Sequence, residues 1–272
     1  MLMGNFLRNR KSIRDFKRES VEAEKLEEVR TDMKALEKEG QGDFAFRLFE
    51  DGERIMEALA GKAGYAGVMI EAPHYIALDI LKDSDSALIY GAYYMEKLIT
   101  ELNKKDLSTC WISLDEVDEK LKKELFGKDI KDIGYILAFG YEKPHNPFTS
   151  EEPYSVKFGI EDFVFDEKLE REVERDKLKT YGLIDLFYYI RFAPSTKNLQ
   201  PWRFLFRDDT TIELLLAFED WDRHLLVDAG IIMYYFEELG RYAGINNKWQ
   251  LIDGEIYQGE QYRYKSIGLF KL

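Results

Sequence analysis

Residues 193–204 read Ala193-Pro194-Ser195-Thr196-Lys197-Asn198-Leu199-Gln200-Pro201-Trp202-Arg203-Phe204. Ser195, Thr196 and Asn198 are compact hydrogen-bonding groups, Pro194 stiffens the approach, and Gln200 and Pro201 lead into an apolar extended segment. Such a loop suits recognition of a polar ligand edge; the same residue types also make an ordinary helix-to-strand connection. Near the other terminus, Arg10, Ser12 and Arg14 recur at every second position. In an extended segment they share one face, offering two permanently charged guanidinium forks and a hydroxyl to phosphate oxygens. Spacing alone favours a solvated basic arm there.

These residues need elements to position them. Hydrophobic periodicity predicts helices over 21–38, 54–60, 86–102, 117–125, 167–179, 183–192 and 227–242. In the first, Leu26, Val29, Met33 and Leu36 line one side. Strands are expected over 44–49, 75–81, 133–140, through Phe206, over 212–218, near 250–257 and over 264–270, with loops at 61–67 and 142–165, the latter holding Pro144, Pro147 and Pro153. The two halves also echo one another. Ala72-Pro73-His74-Tyr75 matches Gln200-Pro201-Trp202-Arg203, and the helix segment 88–95 matches 226–233. Trp111 and Trp249 follow at equal distances from Met95 and Met233. Three echoes in one order favour a duplication over chance similarity of apolar helices.

Bulk properties narrow the classes. The chain has 272 residues, 45% of them apolar, enough for a large core. A net charge of -13 repels a phosphate backbone, so nucleic acid is not an expected partner. One cysteine excludes an intrachain disulfide. No run approaches the roughly 20 apolar residues of a membrane span, and the N-terminus lacks a signal-peptide core, so a cytoplasmic protein is expected, with no membrane partner. No dinucleotide-type glycine fingerprint follows a strand, no P-loop occurs, and His74, His145 and His224 are scattered, so no metal site is assigned.

Four segments carry a resemblance. Arg10-Lys11-Ser12-Ile13-Arg14-Asp15-Phe16 resembles the Arg-x-Ser-x-Arg/Lys-x-Phe opening of FMN-dependent nitroreductases, and residues 193–204 resemble the loop with which that family holds FMN. Leu107-Ser108-Thr109-Cys110-Trp111-Ile112 is similar to the family's Gly-Leu-Gly-Thr-Cys-Trp-Ile segment, with Asp106 and Ser108 in place of both glycines. Residues 136–141 resemble its late strand ending in Gly-Tyr. A weaker likeness runs through Lys157-Phe158-Gly159-Ile160-Glu161-Asp162, where Lys157 would supply another cation to the phosphate. The resemblance implies that Arg10 and Ser12 hold the phosphate region and that Arg14 reaches the pyrimidine edge of the flavin. Pro194, Ser195, Thr196, Asn198 and Gln200 would form the ring-side loop.

Family nitroreductases build this site from two subunits; here its parts are divided between the halves of one chain. The expected architecture is therefore α+β and nitroreductase-like. Two tandem α/β halves, 1–165 and 166–272, with mixed sheets and long central helices, would form a pseudo-dimer with one flavin site between them. The mirror site would be lost, because 67–72, ahead of Pro73, holds no serine or asparagine. A monomer would suffice. The implied activity is hydride transfer from NAD(P)H through FMN to a nitroaromatic, quinone or similar electron-poor acceptor, with no side-chain acid or base required. The rival expectation is a cofactor-free or flavin-binding non-redox protein on the same degenerate scaffold; reductive dehalogenation or flavin breakdown are further reactions of the fold.

Overall fold

The computed structural model describes residues 10–64, 67–144 and 156–272; His145, Pro147 and Pro153 lie outside them. The chain divides into two compact units, 9–152 and 153–272.

The first unit runs α1 (Ala23–Glu39), β1 (Phe44–Phe49), α2 (Gly52–Leu59), β2 (His74–Ile80), α3 (Asp85–Lys104), β3 (Ser108–Ser113), α4 (Glu119–Phe126) and β4 (Tyr135–Gly140). Its sheet has the order β1-β2-β4-β3, with every neighbouring pair antiparallel. Strand β2 is buried along its whole length because helices cover both faces. On one side α1 and α3 bring Val29, Met33, Met95 and Leu98 against Ile76 and Leu78; on the other, Ile55, Leu59 and Leu125 meet Tyr75, Ala77 and Ile136. The helix starts are capped as their sequences direct: the side chains of Asp51, Ser84 and Asp118 accept the N–H groups of Arg54, Ala87 and Leu121. Gly91 lets α3 approach the sheet, since a Cβ there would sit 2.6 Å from Ile80 Cδ1. Asp79, buried within β2, is balanced by Arg47 at 2.8 Å and by the N–H groups of Lys131 and Asp132.

The second unit runs α5 (Ile160–Phe163), β5 (Val164–Asp166), α6 (Arg175–Thr180), α7 (Ile184–Ile190), a single 3-10 turn (Thr196–Asn198), β6 (Trp202–Phe206), β7 (Thr211–Phe218), α8 (Leu225–Tyr242), β8 (Gln250–Leu251), β9 (Ile256–Gln258) and β10 (Arg263–Lys271). Its sheet order is β5-β6-β7-β10-β8, parallel between β5 and β6 and antiparallel elsewhere, with β9 on β10. Helix α8 is buried on nearly every side, against α7, β6 and β7. Its Phe236 joins Phe187, Phe204, Trp249 and Phe270 in one aromatic cluster.

Three expectations need correction. The charged helix expected over 167–179 is confined to α6. Glu167 and Glu170 instead take left-handed conformations (φ 60° and 62°), and Phe165 bridges Glu172. The reason is tertiary: the Glu170 carboxylate accepts the Glu260 N–H at 2.9 Å and the Tyr264 hydroxyl at 2.8 Å, which outweighs local helix propensity. Within the stretch expected as loop, α5 and β5 form, because Phe163, Val164 and Phe165 bury themselves against β6. The third concerns the echo of the halves. The two sheets share the order of four strands, β1-β2-β4-β3 against β6-β7-β10-β8, each with its long helix, α3 or α8, after the second strand. This makes β2 the counterpart of β7, not β6, so the Pro73 strand is displaced by one strand from the Pro201 strand. The Trp111 and Trp249 echo keeps its place, in β3 and just before β8.

Candidate functional site

In the second unit, the loop between α7 and β6 is built from its own polar side chains. Ser195 Oγ accepts the Gln200 N–H at 3.0 Å, closing the loop on itself. Thr196 donates its N–H (2.9 Å) and its hydroxyl (3.3 Å) to Asp228 Oδ1 on α8. Asn198 accepts from Lys157 Nζ at 2.8 Å and donates to the Val156 carbonyl at 3.0 Å. Lys157 also reaches the Ala193 carbonyl at 3.4 Å. Gln200, buried, accepts the Phe158 N–H at 3.2 Å and donates to the carbonyls of Asn198 and Val156. Four of the residues expected at the site, Lys157, Ser195, Asn198 and Gln200, are thus one network; Thr196 ties the same loop separately to α8, and Pro194 stands at its half-buried entry.

The backbone of this loop is unusual. Lys197, Asn198 and Gln200 have φ of 51°, 58° and 50°, three non-glycine residues in the left-handed region within four positions. Each costs about 1 kcal/mol or more, and such strain persists only where surrounding contacts over-determine it. Arg203, on β6, ties the exit: its Nη1 donates to the carbonyls of Gln200 (2.9 Å) and Trp202 (2.8 Å), and its guanidinium lies 5.2 Å from the Phe158 ring centre.

In the first unit, the segment carrying Arg10, Ser12 and Arg14 lies along β3. Ser12 bridges Thr109 in parallel, the Ile13 N–H donates to the Thr109 carbonyl at 2.9 Å, and the Lys17 N–H to that of Tyr141 at 2.8 Å. Phe16, buried, anchors it. The segment is therefore extended and pinned, as the alternate spacing requires. Arg14 is exposed and Arg10 half-buried. Arg10 has a second neighbour that its spacing did not announce: its charge acts on Glu96, buried on α3. Burial pushes the Glu96 carboxyl up, while Arg10 and the Trp111 indole N–H, donating to Oε1 at 2.7 Å, favour the charged form. At the end of α3, Asp106 stands where the resemblance places a glycine, and it takes the left-handed conformation a glycine would supply (φ 59°).

Taken unit by unit, the donor chemistry suits a flavin mononucleotide: the loop of the second unit carries amide and hydroxyl groups beside the Lys157 cation, and the N-terminal segment of the first carries the Arg10 and Arg14 cations and the Ser12 hydroxyl. Side by side, though, Thr196 and Gln200 face inward, toward Asp228 and toward Val156 and Phe158, and serve as scaffold. Asp228 and Glu96 were not singled out by motif. Asp228 is the one acid in the apolar run 225–236, which is a signal readable in sequence; Glu96, followed by Lys97, carries none. Among the described residues no group of His, Cys, Asp and Glu is arranged to hold a metal, and no helix is long and apolar enough to cross a membrane.

A family model described as "Putative TM nitroreductase" matches residues 4–239. Among solved structures, one described as a "putative nitroreductase" from Thermotoga maritima is similar over 98% of this chain and 94% of that one, at 16% identity and a TM-score of 0.57. A "Nitroreductase with Bound FMN" from Bacteroides fragilis is 14% identical and covers 58% of this chain and 95% of its own, with a TM-score of 0.42. A "Putative NADH Oxidase" from Clostridium acetobutylicum is 24% identical and covers 64% of this chain and 96% of its own, also at 0.42. No curated protein matches the chain.

Proposed function

Since the chain belongs to the nitroreductase family whose model spans residues 4–239, we propose that it is an FMN-dependent oxidoreductase, passing hydride from NAD(P)H to a nitroaromatic, quinone or similar electron-poor acceptor. The observation that supports this reading is the 193–200 loop, with three strained non-glycines held by a network of residues that the resemblance assigns to flavin binding.

Bound FMN would supply the redox chemistry. The protein's part is binding and electrostatics. Ser195, whose hydroxyl hydrogen is not spent on Gln200, and Asn198, which keeps amide capacity beyond Lys157 and Val156, present hydrogen bonds to the polar edge of the ring. Thr196 and Gln200 hold the loop in shape, and Pro194 stiffens its entry. Arg10 and Ser12 hold the phosphate region, with Lys157 as a further cation. Arg14 favours negative charge at the pyrimidine edge of the reduced ring. No side chain is assigned as acid or base.

The test is a visible spectrum of the purified protein followed by a fluorescence titration with FMN. Bound flavin with micromolar or tighter affinity is expected. Absence of flavin absorbance and of binding would overturn the reading and leave the non-redox protein on this scaffold. Arg10→Ala should then weaken FMN binding by about tenfold or more, the worth of a charge-assisted phosphate contact. Arg10→Lys separates this from loss of charge beside Glu96: it preserves the charge but not the fork. An Arg10→Ala affinity equal to wild type would make the basic segment a bystander.

A further inference from the structure

The geometry points to Asp228 as the positioning residue of the 193–200 loop: its ionised carboxylate grips Thr196 and so sets the affinity of the loop for its ligand. Three observations carry this. Asp228 is fully buried on α8, yet it has no ion-pair partner among the described residues. Its Oδ1 takes both donors of Thr196, the N–H at 2.9 Å and the hydroxyl at 3.3 Å, at the first residue of the turn that begins the strained run. Its Oδ2 has no hydrogen-bond partner among the described residues.

A buried carboxyl so placed has two states of different mechanical value. Ionised, it accepts charge-assisted hydrogen bonds, about twice as strong as neutral ones. Protonated, it still accepts at Oδ1, but weakly, and the left-handed residues that follow lose part of what holds them. The switch lies in an accessible range. Burial pushes Asp228 up to about 7, the two Thr196 bonds pull it down, and Asp222, just ahead of α8, adds like charge. The elements packed on α8, namely α7, β6 and β7, bring no further charge to it among the described residues. Asp228 therefore passes from neutral to ionised across neutral pH, and the loop tightens as it does.

This inference rests on the flavin reading for its functional consequence but not for its geometry, and the experiment separates the two. In flavin-free protein, the Thr196 amide resonance is followed by NMR from pH 5.5 to 8.5 in wild type and in Asp228→Asn. The variant keeps an oxygen acceptor and cannot ionise. A titration of the Thr196 amide with a midpoint near 7 is expected in wild type, and its absence in Asp228→Asn. FMN affinity is then measured across the same range by fluorescence quenching. Wild type should bind about tenfold more tightly at pH 8 than at pH 5.5 in excess of any change shown by Asp228→Asn, and the variant should resemble wild type at pH 5.5. Any pH dependence common to both proteins belongs to the flavin phosphate. A Thr196 amide that does not titrate, or equal affinities of the two proteins at pH 8, would overturn the proposal while leaving the flavin reading intact. A titrating Thr196 amide in a protein that binds no FMN at any pH would sustain the role of Asp228 and overturn the flavin reading instead. The wild-type titration needs no variant, so a misfolded Asp228→Asn leaves the proposal testable.

Discussion

At the scale of single residues, buried polar groups in this protein act as clamps between distant segments. His74, at the start of β2, is the clearest. Its Nε2 accepts the Val21 N–H at 3.0 Å and lies 3.2 Å from Ser20 Oγ; its Nδ1 lies 2.9 Å from the Glu50 carbonyl. Because Val21 must donate, Nε2 carries no proton and Nδ1–H donates to Glu50, which fixes the neutral ring in one tautomer. The ring packs on Phe139 at 5.2 Å between centres. Burial lowers the His74 pKa, opposed by the Glu50 carbonyl and charge. The unfolded chain thus binds a proton at higher pH than the folded one. The stability this group contributes is fully present above its unfolded value of about 6.5 and is lost as pH falls from there toward the folded value. Urea denaturation followed between pH 7.5 and 5.5 should show the midpoint falling in wild type, and falling less in His74→Phe. That variant keeps a buried ring but strands the Val21 N–H and Glu50 carbonyl, at a cost of about 2–4 kcal/mol at neutral pH. Equal acid sensitivity of the two proteins would remove His74 from the account.

At the scale of elements, the end of α3 shows how a motif can be broken in sequence and kept in shape. The Leu107 N–H returns to the Leu102 carbonyl at 3.0 Å, and Asp106 turns the chain between them with φ of 59°. Asp106 and Ser108 depart from the glycines of the family pattern; at 106 the glycine conformation survives without the glycine. Asp106→Gly should relieve the left-handed penalty and stabilise the protein by about 0.5–1 kcal/mol, read as a raised melting temperature; an unchanged or lowered one would show that the Asp106 side chain offsets its own strain. The same contrast explains what was readable from sequence. Helices α1, α3 and α8 were legible because their apolar spacing reports burial directly, as at Leu26, Val29, Met33 and Leu36. The loop around Ser195 and Asn198 was legible because its residue types are few and contiguous. The 167–174 turn was not, because Glu170 is fixed by Glu260 and Tyr264, some 90 positions away in sequence. Asp228 was hidden for the same reason: its meaning lies in Thr196, which no local pattern connects to it.

At the scale of the whole molecule, the strand order shared by the two sheets says where a duplicate of the 193–200 loop would lie. That loop precedes β6, so its counterpart precedes β1. There only residues 40–43 connect α1 to β1, against 191–201 between α7 and β6, and they form a tight turn closed by the Asp43 N–H on the Gly40 carbonyl at 3.2 Å. Gly40-Gln41-Gly42-Asp43 offers neither serine nor asparagine and has no length for a ring-side loop. If the halves are duplicates, the serine and asparagine of the mirror loop are missing at 40–43 rather than at 67–72. The second unit likewise holds nothing resembling Arg10-Ser12-Arg14 ahead of Leu183. One flavin per chain is the expected stoichiometry, and a titration saturating at two equivalents would contradict it. A sharper measurement asks whether the two contributors belong to one chain. Arg10→Ala lacks a component from the first half and Asn198→Ala one from the second. If the site forms between separate chains, mixing the two variants restores a fraction of intact sites, as it would in an ordinary homodimer. If a single chain imitates the dimer, every molecule in the mixture carries one lesion in its only site. Tight binding should then stay absent at any mixing ratio and protein concentration. Recovery of wild-type affinity in about a quarter of the sites, the statistical share for random pairing, would instead assign the flavin to an assembly of two chains.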